Sequence, residues 1–169
     1  GADGRKNLHN LLDTVAIHFL DMLALHLGDH DKINYLADNF SGNGSSYDTS
    51  HLLIKFKKGP IVSIFNSYAS SYINEIMVVG TNGYFTCRDN KLIIRSPRNT
   101  FNSEGLFISP PIKNKKKFSM QEDYNNSLRN SIDYFLHFVR KKDKIPINLF
   151  QTSISTNQII INLKNKTQE

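Results

Sequence analysis

The chain has 169 residues, of which 39% are hydrophobic and 11% aromatic, which excludes a disordered chain and predicts a single domain over residues 1–169. Lys and Arg outnumber Asp and Glu by 21 to 15, and this charge of +6 permits an anionic partner without identifying one. The single cysteine, Cys87, excludes an internal disulfide and a thiolate metal cage. Acidic residues and histidines interrupt the most apolar segment, 11–27, so we expect no membrane partner and a cytoplasmic location.

Elements in the first half of the chain are marked by apolar spacing and by turn residues. Apolar residues three and four apart predict a helix over 8–27, ended by Gly28. A strand over 32–40 and a polar loop over 41–50 follow. Five β-rich runs joined by short turns then predict an antiparallel meander. These runs are 51–57, 61–69, 74–80, 84–88 and 91–95.

The second half of the chain is less regular. Prolines and lysines over 96–118 indicate a surface excursion with one edge strand at most. Ser119 and Glu122 form a capping box, and the apolar spacing after them predicts a second long helix to Arg140. The last segment, 150–166, has β-branched residues typical of a strand and a spacing compatible with a helix, and the pattern leaves both open.

The first helix carries a polar stripe beside its leucine-rich face. At about 100° per residue, Asn10, Thr14, His18 and Asp21 fall within roughly 80° of arc. A histidine at the border of a core can be held in one tautomer by a hydrogen bond and still face a cleft. His18 is therefore a candidate general acid or base toward a hydroxyl or carbonyl group. The alternative is a boundary histidine with a structural role only.

Other signals favour structural interpretations. Gly42-Asn-Gly44 begins like a dinucleotide-binding fingerprint, but a β-run follows it instead of a helix, so we interpret it as a loop. His26 and His30 have the spacing of one helical face, yet Gly28 ends the helix between them, and we predict no metal site. Cys87 lies in a predicted strand and is interpreted as an inert thiol.

The lysine run over 113–117 is compatible with a nucleic acid or a phosphorylated ligand. Nucleic-acid recognition would require aromatic residues interleaved with the basic ones, or a recognition helix, and the sequence has neither. We therefore interpret the run as a solvated surface and expect no nucleic-acid partner.

Three motifs occur in a fixed order along the chain: Leu12-Asp-Thr-Val-Ala-Ile-His-Phe-Leu-Asp21, Val79-Gly-Thr-Asn-Gly83 and Leu128-Arg-Asn-Ser-Ile-Asp-Tyr-Phe-Leu136. This order resembles the C-terminal domain of the Gfo/Idh/MocA family of NAD(P)-dependent oxidoreductases. In that family a helix reads Leu-x-Asp-x-x-x-His-x-x-Asp, a later strand ends in a Gly-Thr-x-Gly turn, and a long helix comes late. The resemblance covers residues 8–163, and its specificity comes from order and spacing.

The resemblance implies roles for the polar stripe. His18 matches the family histidine that contacts substrate and assists proton transfer, and Asp21 matches the aspartate three positions later. The family aspartate four positions before the histidine falls on Thr14, while this chain has an acid one position earlier, at Asp13. Asn10 stands where the family has a glycine-rich approach to the helix. The implied site therefore has His18 as catalytic residue, with Asn10, Asp13, Thr14 and Asp21 binding substrate.

The resemblance also implies an α+β fold, with a mainly antiparallel open β-sheet, α-helices packed on one face and the other face available for oligomerisation. It makes the segment over 152–163 helical. A sheet that needs two covers would account for its apolar and aromatic residues, among them Phe65, Tyr68, Tyr84 and Phe85. We therefore expect a homo-oligomer formed through the sheet face.

In the family, a nucleotide-binding domain with a glycine-rich loop and a Glu-Lys-Pro motif precedes this domain, and the sequence contains neither feature. The resemblance implies the substrate-binding half of an enzyme that uses NAD or NADP on a sugar, sugar nucleotide or related polyol. Alone, the chain is expected to be inactive and to bind no cofactor. The alternative is a non-catalytic protein-interaction or self-association module.

Overall fold

The computed structural model describes residues 11–97, 99–142, 144 and 146–166. These residues form three α-helices and seven strands, and the first helix is preceded by a π turn over Leu12–Ala16. The α-helices are α1 (Ile17–Leu27), α2 (Met120–Lys141) and α3 (Ile147–Lys166). The strands are β1 (His30–Asp38), β2 (Thr49–Phe56), β3 (Ile61–Ser67), β4 (Glu75–Gly80), β5 (Gly83–Arg88), β6 (Lys91–Arg95) and β7 (Ile112–Lys117).

The described residues divide into two compact units. The first contains the π turn, α1, strands β1 to β3 and α3, so it joins the two ends of the chain. The second, Ile73–Lys144, contains β4 to β7 and α2. In each unit all strand pairs are antiparallel and follow chain order. The α+β class and the antiparallel meander are thereby confirmed.

The core of the first unit lies between its sheet and its helices. Along β2, burial alternates strictly, so that Leu52, Ile54 and Phe56 are buried while the residues between them are exposed. This buried face packs against Leu12, Ala16 and Leu20 from the first helical segment and against Ile160 and Leu163 from α3. The helices therefore cover one face of this sheet, as the resemblance implied.

The opposite face of the same sheet is exposed and carries four large apolar side chains among polar ones such as Asn34 and Lys55. Leu36, His51 and Phe65 lie side by side across the three strands, and Leu36 and Phe65 are 73% and 65% exposed. Leu53 and Ile61, on the same face, are also exposed. We call these five residues the open face. Its hydrophobic surface is of the kind that protein interfaces use.

Alternate residues of each strand lie on opposite faces of the sheet in the second unit. The strand register places Arg88, Lys91 and Lys117 on one face, and Phe85 and Leu92 on the other. Tyr84 and Phe85 therefore point to opposite faces. The lysine run forms β7, the edge strand allowed by the sequence, and lysines on an edge disfavour pairing with another chain.

The motif Val79-Gly-Thr-Asn-Gly83 forms the turn between β4 and β5. Gly83 adopts a φ of +125°, and a Cβ atom there would lie 2.1 Å from the carbonyl oxygen of Arg95. Because no side chain fits this close approach, glycine is required at this position.

The structure differs from the sequence-based expectations in two features and agrees with them in two others. The strands form two hydrogen-bonded sheets in place of the single predicted sheet, because residues 68–74 replace a tight turn between β3 and β4 and form no strand. The first helix opens with a π turn in place of regular α-helix, and its predicted residues 8–10 lie outside the described part. The tail is helical as implied, and Ser119 Oγ accepts the capping hydrogen bond from the Glu122 amide at 3.4 Å. No described helix is both long and apolar enough to cross a membrane.

Candidate functional site

The polar stripe of the first helix begins inside the π turn. The amide of Ile17 donates to the carbonyl of Leu12, five residues earlier, where an α-helix bonds residues four apart. Leu12 and Ala16 are fully buried in the turn, so their packing against the sheet holds this wider spacing in place. The turn changes which polar side chains share a face.

Asp13 is directed toward the last helix. Its carboxylate forms an ion pair with the ammonium group of Lys164 on α3. The Asp13 side chain is 31% exposed and that of Lys164 36%, so the pair is partly shielded and still reachable from solvent. A charge-assisted hydrogen bond of this kind fixes the carboxylate more firmly than a fully solvated pair does.

Asp21 is also directed toward α3. Its Oδ1 atom accepts hydrogen bonds from Ser153 Oγ at 3.3 Å and from Thr156 Oγ1 at 3.4 Å. Thr156 is buried, so its hydroxyl needs a partner inside the protein. The two carboxylates of the implied site, Asp13 and Asp21, are therefore both anchored on one neighbouring helix.

Thr14 and His18 have different surroundings. The Oγ1 atom of Thr14 accepts a hydrogen bond from the hydroxyl of Tyr68, just beyond β3, at 3.3 Å. His18 is exposed to solvent on α1. Its imidazole is accessible to a ligand, which the candidate role requires. Asn10, the remaining predicted site residue, lies outside the described residues.

Sequence reasoning did not include the α3 residues in the site. Ser153, Thr156 and Lys164 recur at intervals of three and eight, which places them on one side of a helix. Small polar residues and a lysine within an otherwise apolar helical stripe could have indicated that α3 contributes polar contacts to the site. It required the tail to be helical, which the residue pattern alone left open.

The glycine-containing loop between β1 and β2 is organised by the buried carboxylate of Asp48. Its oxygens accept the amides of Phe40 and Ser41 at 3.0 and 2.8 Å and the hydroxyl of Thr49 at 3.0 Å. Burial by itself raises the pKa of Asp48, but these hydrogen bonds outweigh it and hold the pKa below its ordinary value. The loop is a self-contained structural element, as interpreted from the sequence.

This loop does not fit a dinucleotide. Its amides at Gly42 and Asn43 bond to side chains of the loop itself, Asn39 Oδ1 and Ser41 Oγ, and β2 follows in place of a helix. A pyrophosphate site needs free amides at a helix N-terminus. Within the described ranges, no group of three or more His, Cys, Asp or Glu side chains is placed to hold a metal ion.

No family model matches the chain, and no curated protein matches it. Solved structures do. An oxidoreductase from Thermotoga maritima superimposes with a TM-score of 0.60 at 15% identity, over 89% of this chain and 40% of its own. Levoglucosan dehydrogenase, in complex with NADH and levoglucosan, gives 0.59 at 14% identity, over 94% and 49%. A myo-inositol dehydrogenase from Corynebacterium glutamicum gives 0.53 at 18% identity, over 93% and 47%.

The chain has the fold of one part of the Gfo/Idh/MocA-type oxidoreductases. The resemblance to this family is thus confirmed at the level of the fold. The chain spans less than half the length of each of these three solved structures.

Proposed function

We propose that this chain is the substrate-binding and oligomerisation part of an NAD(P)-dependent oxidoreductase that acts on a sugar, a sugar nucleotide or a related polyol. The observation that carries the proposal is the exposed imidazole of His18, on a helix whose neighbouring carboxylates are fixed to α3, in a fold shared with levoglucosan and myo-inositol dehydrogenases. The enzyme is placed in the cytoplasm, where the free thiol of Cys87 stays reduced.

The proposed reaction oxidises a secondary alcohol to a ketone. A bound nicotinamide cofactor would supply the acceptor for the hydride of the substrate C–H bond, and the imidazole of His18 would take the hydroxyl proton. Asp13, Thr14 and Asp21 would bind neighbouring hydroxyl groups, since carboxylate and hydroxyl oxygens accept hydrogen bonds from them. Asn10 is proposed to join them from the segment before the helix.

The cofactor, NAD or NADP, is assigned to another part of the enzyme, because the glycine loop of this chain has its amides occupied. Isothermal titration calorimetry of the 169-residue chain with NADH is expected to show no binding. Tight binding would contradict the division of labour proposed here.

Replacement of His18 in the full-length protein tests the catalytic role. We expect His18→Gln to lower kcat for polyol oxidation by about 10²- to 10⁴-fold, the usual contribution of a general acid or base. His26→Gln is the matched control, because His26 is an exposed histidine near the end of the same helix, and its kcat should match the wild type. Wild-type turnover by His18→Gln would overturn the catalytic assignment.

A second candidate, a non-catalytic self-association module, is favoured by the open face defined above, whose Leu36 and Phe65 are largely exposed. Both functions predict self-association. They differ in that the module predicts no dependence of any turnover on His18.

A further inference from the structure

The π turn Leu12–Ala16 sets which acid lies beside His18. In a regular α-helix, residues five apart diverge by about 140°, so Asp13 would point away from His18 and Thr14 would lie above it. A π turn contains one extra residue, so residues five apart across it align as residues four apart do elsewhere. The hydrogen bond from the Ile17 amide to the Leu12 carbonyl places the extra residue within 12–17, a segment that contains Asp13 and ends just before His18.

We infer that the π turn makes Asp13, held by Lys164, the carboxylate that acts beside His18 in binding a polyhydroxyl ligand, and that Thr14 is displaced from this role. The inference rests on the proposed function for its ligand. The sequence alone does not decide whether Asp13 or Thr14 acts beside His18. The inference assigns this role to Asp13 and adds Lys164 as a positioning residue.

Side-chain contacts support this assignment independently of the backbone pattern. Asp13 and Asp21 both bond to α3, through Lys164 and Thr156 respectively, so they lie on the same side of the first helix. Over eight residues of regular α-helix, the side chains of Asp13 and Asp21 would point about 80° apart around the helix axis. Because the π turn adds one residue without adding rotation, they are related as residues seven apart and point only about 20° apart. Thr14 bonds instead to the hydroxyl of Tyr68, just beyond β3.

The resulting arrangement suits a ligand with adjacent hydroxyl groups. The Asp13 carboxylate accepts hydrogen bonds from hydroxyls, the Lys164 ammonium donates them, and both side chains are about one-third exposed. His18 is exposed on α1, and its imidazole can accept or donate a proton. Lys164 keeps the carboxylate in one place, since the charge-assisted bond ties it to α3.

The decisive variants exchange or remove the residues at the π turn in the full-length enzyme. Asp13→Asn is expected to raise KM for the polyol substrate about tenfold or more, the usual effect of losing a hydrogen bond to a charged group. The swap Asp13→Thr with Thr14→Asp keeps the composition but moves the carboxylate toward Tyr68, so its KM should be raised equally. His26→Gln, an exposed histidine of the same helix outside the proposed site, is the control and should leave KM unchanged. A swap variant with wild-type KM would overturn the inference.

Lys164 is tested by a conservative pair of variants. Lys164→Met should raise KM with little change in kcat, and Lys164→Arg should restore most of the loss, because it keeps a donor cation at the same place. If Lys164→Arg behaves like Lys164→Met, the lysine acts through packing alone and the positioning role is wrong.

A measurement on the 169-residue chain separates this inference from the proposed function. Deleting Thr14 removes the extra residue, so the turn can become regular α-helix. Asp13 then lies four residues before His18, and the buried Leu12 keeps its orientation toward the core. The urea unfolding midpoint of this deletion should match that of Thr14→Val, the matched control that removes the same hydroxyl. A much lower midpoint would overturn the inference, whereas absence of any polyol turnover by the full-length wild type would overturn only the proposed function and its ligand.

Discussion

The carboxylate of Asp21, on α1, accepts a hydrogen bond at 3.4 Å from the hydroxyl of Thr156, on α3, and so joins the beginning of the chain to its end. Thr156 is 1% exposed, whereas Ser153, the other donor to this carboxylate, is exposed. Both helices belong to the same compact unit, and this bond is one of the polar contacts between them.

Replacing Thr156 tests this link. Thr156→Val keeps the shape and removes the buried donor, so we expect the free energy of unfolding to fall by about 1 kcal/mol. Ser153→Ala, the control on the exposed side of the same carboxylate, should cost less because water replaces its hydrogen bond. Urea unfolding followed by circular dichroism measures both. Equal costs would show that burial of the Thr156 hydroxyl does not matter.

Asp48 makes the stability of the first unit dependent on pH. Its pKa lies below the ordinary value in the folded protein, so its contribution is fully present above the unfolded pKa of about 3.9 and is lost as the pH falls through the folded pKa. Asp48→Ala should lower the free energy of unfolding at pH 7 by about 1–3 kcal/mol, since it leaves the Phe40 and Ser41 amides without their acceptor.

The same variant should show a flatter acid limb when urea unfolding is repeated from about pH 5 down to about pH 2, the range in which the Asp48 contribution is lost. Asp38→Ala is the control. The Asp38 carboxylate lies at an exposed site and, among the described residues, accepts a hydrogen bond only from the adjacent Asn39 amide. Parallel acid limbs for Asp48→Ala and the wild type would contradict the assignment of the acid sensitivity to Asp48.

Two neighbouring leucines on β2 test which face of the first sheet forms the core. Leu52 is fully buried against the helices and Leu53 points to the open face. Leu52→Ala should cost about 2–5 kcal/mol through lost burial and a cavity. Leu53→Ala in the monomer should cost far less, because its side chain is already 42% exposed. Thermal unfolding at low protein concentration distinguishes them, and similar costs would contradict the assigned faces.

Charge on the open face tests the proposed self-association. Phe65→Asp places a carboxylate among exposed apolar side chains, so the assembly should dissociate to monomers in analytical ultracentrifugation, with the fold intact by circular dichroism. Lys58→Asp, in the turn between β2 and β3, is the control and should leave the assembly unchanged. If Phe65→Asp retains the wild-type assembly, self-association uses another surface.

Local sequence patterns determined the elements whose structure depends on adjacent residues. The turns around Gly83 and Asn90, the cap at Ser119 and the alternation from Leu52 to Phe56 follow from backbone conformation, hydrogen-bond donors and side-chain period, all of which act over a few residues. His18 could also be singled out, because its spacing from a leucine face is visible in the sequence.

Tertiary structure decided the features that depend on distant partners. The tail could be a strand or a helix until the buried residues Ile160 and Leu163 packed with Leu12 and Leu20. The different partners of Asp13 and Thr14 depend on one extra residue in a turn, which local propensity does not encode. Asp13 pairs with Lys164, 151 residues away in sequence, and Leu12 and Ala16 are buried around the turn, so only the folded chain brings these groups together.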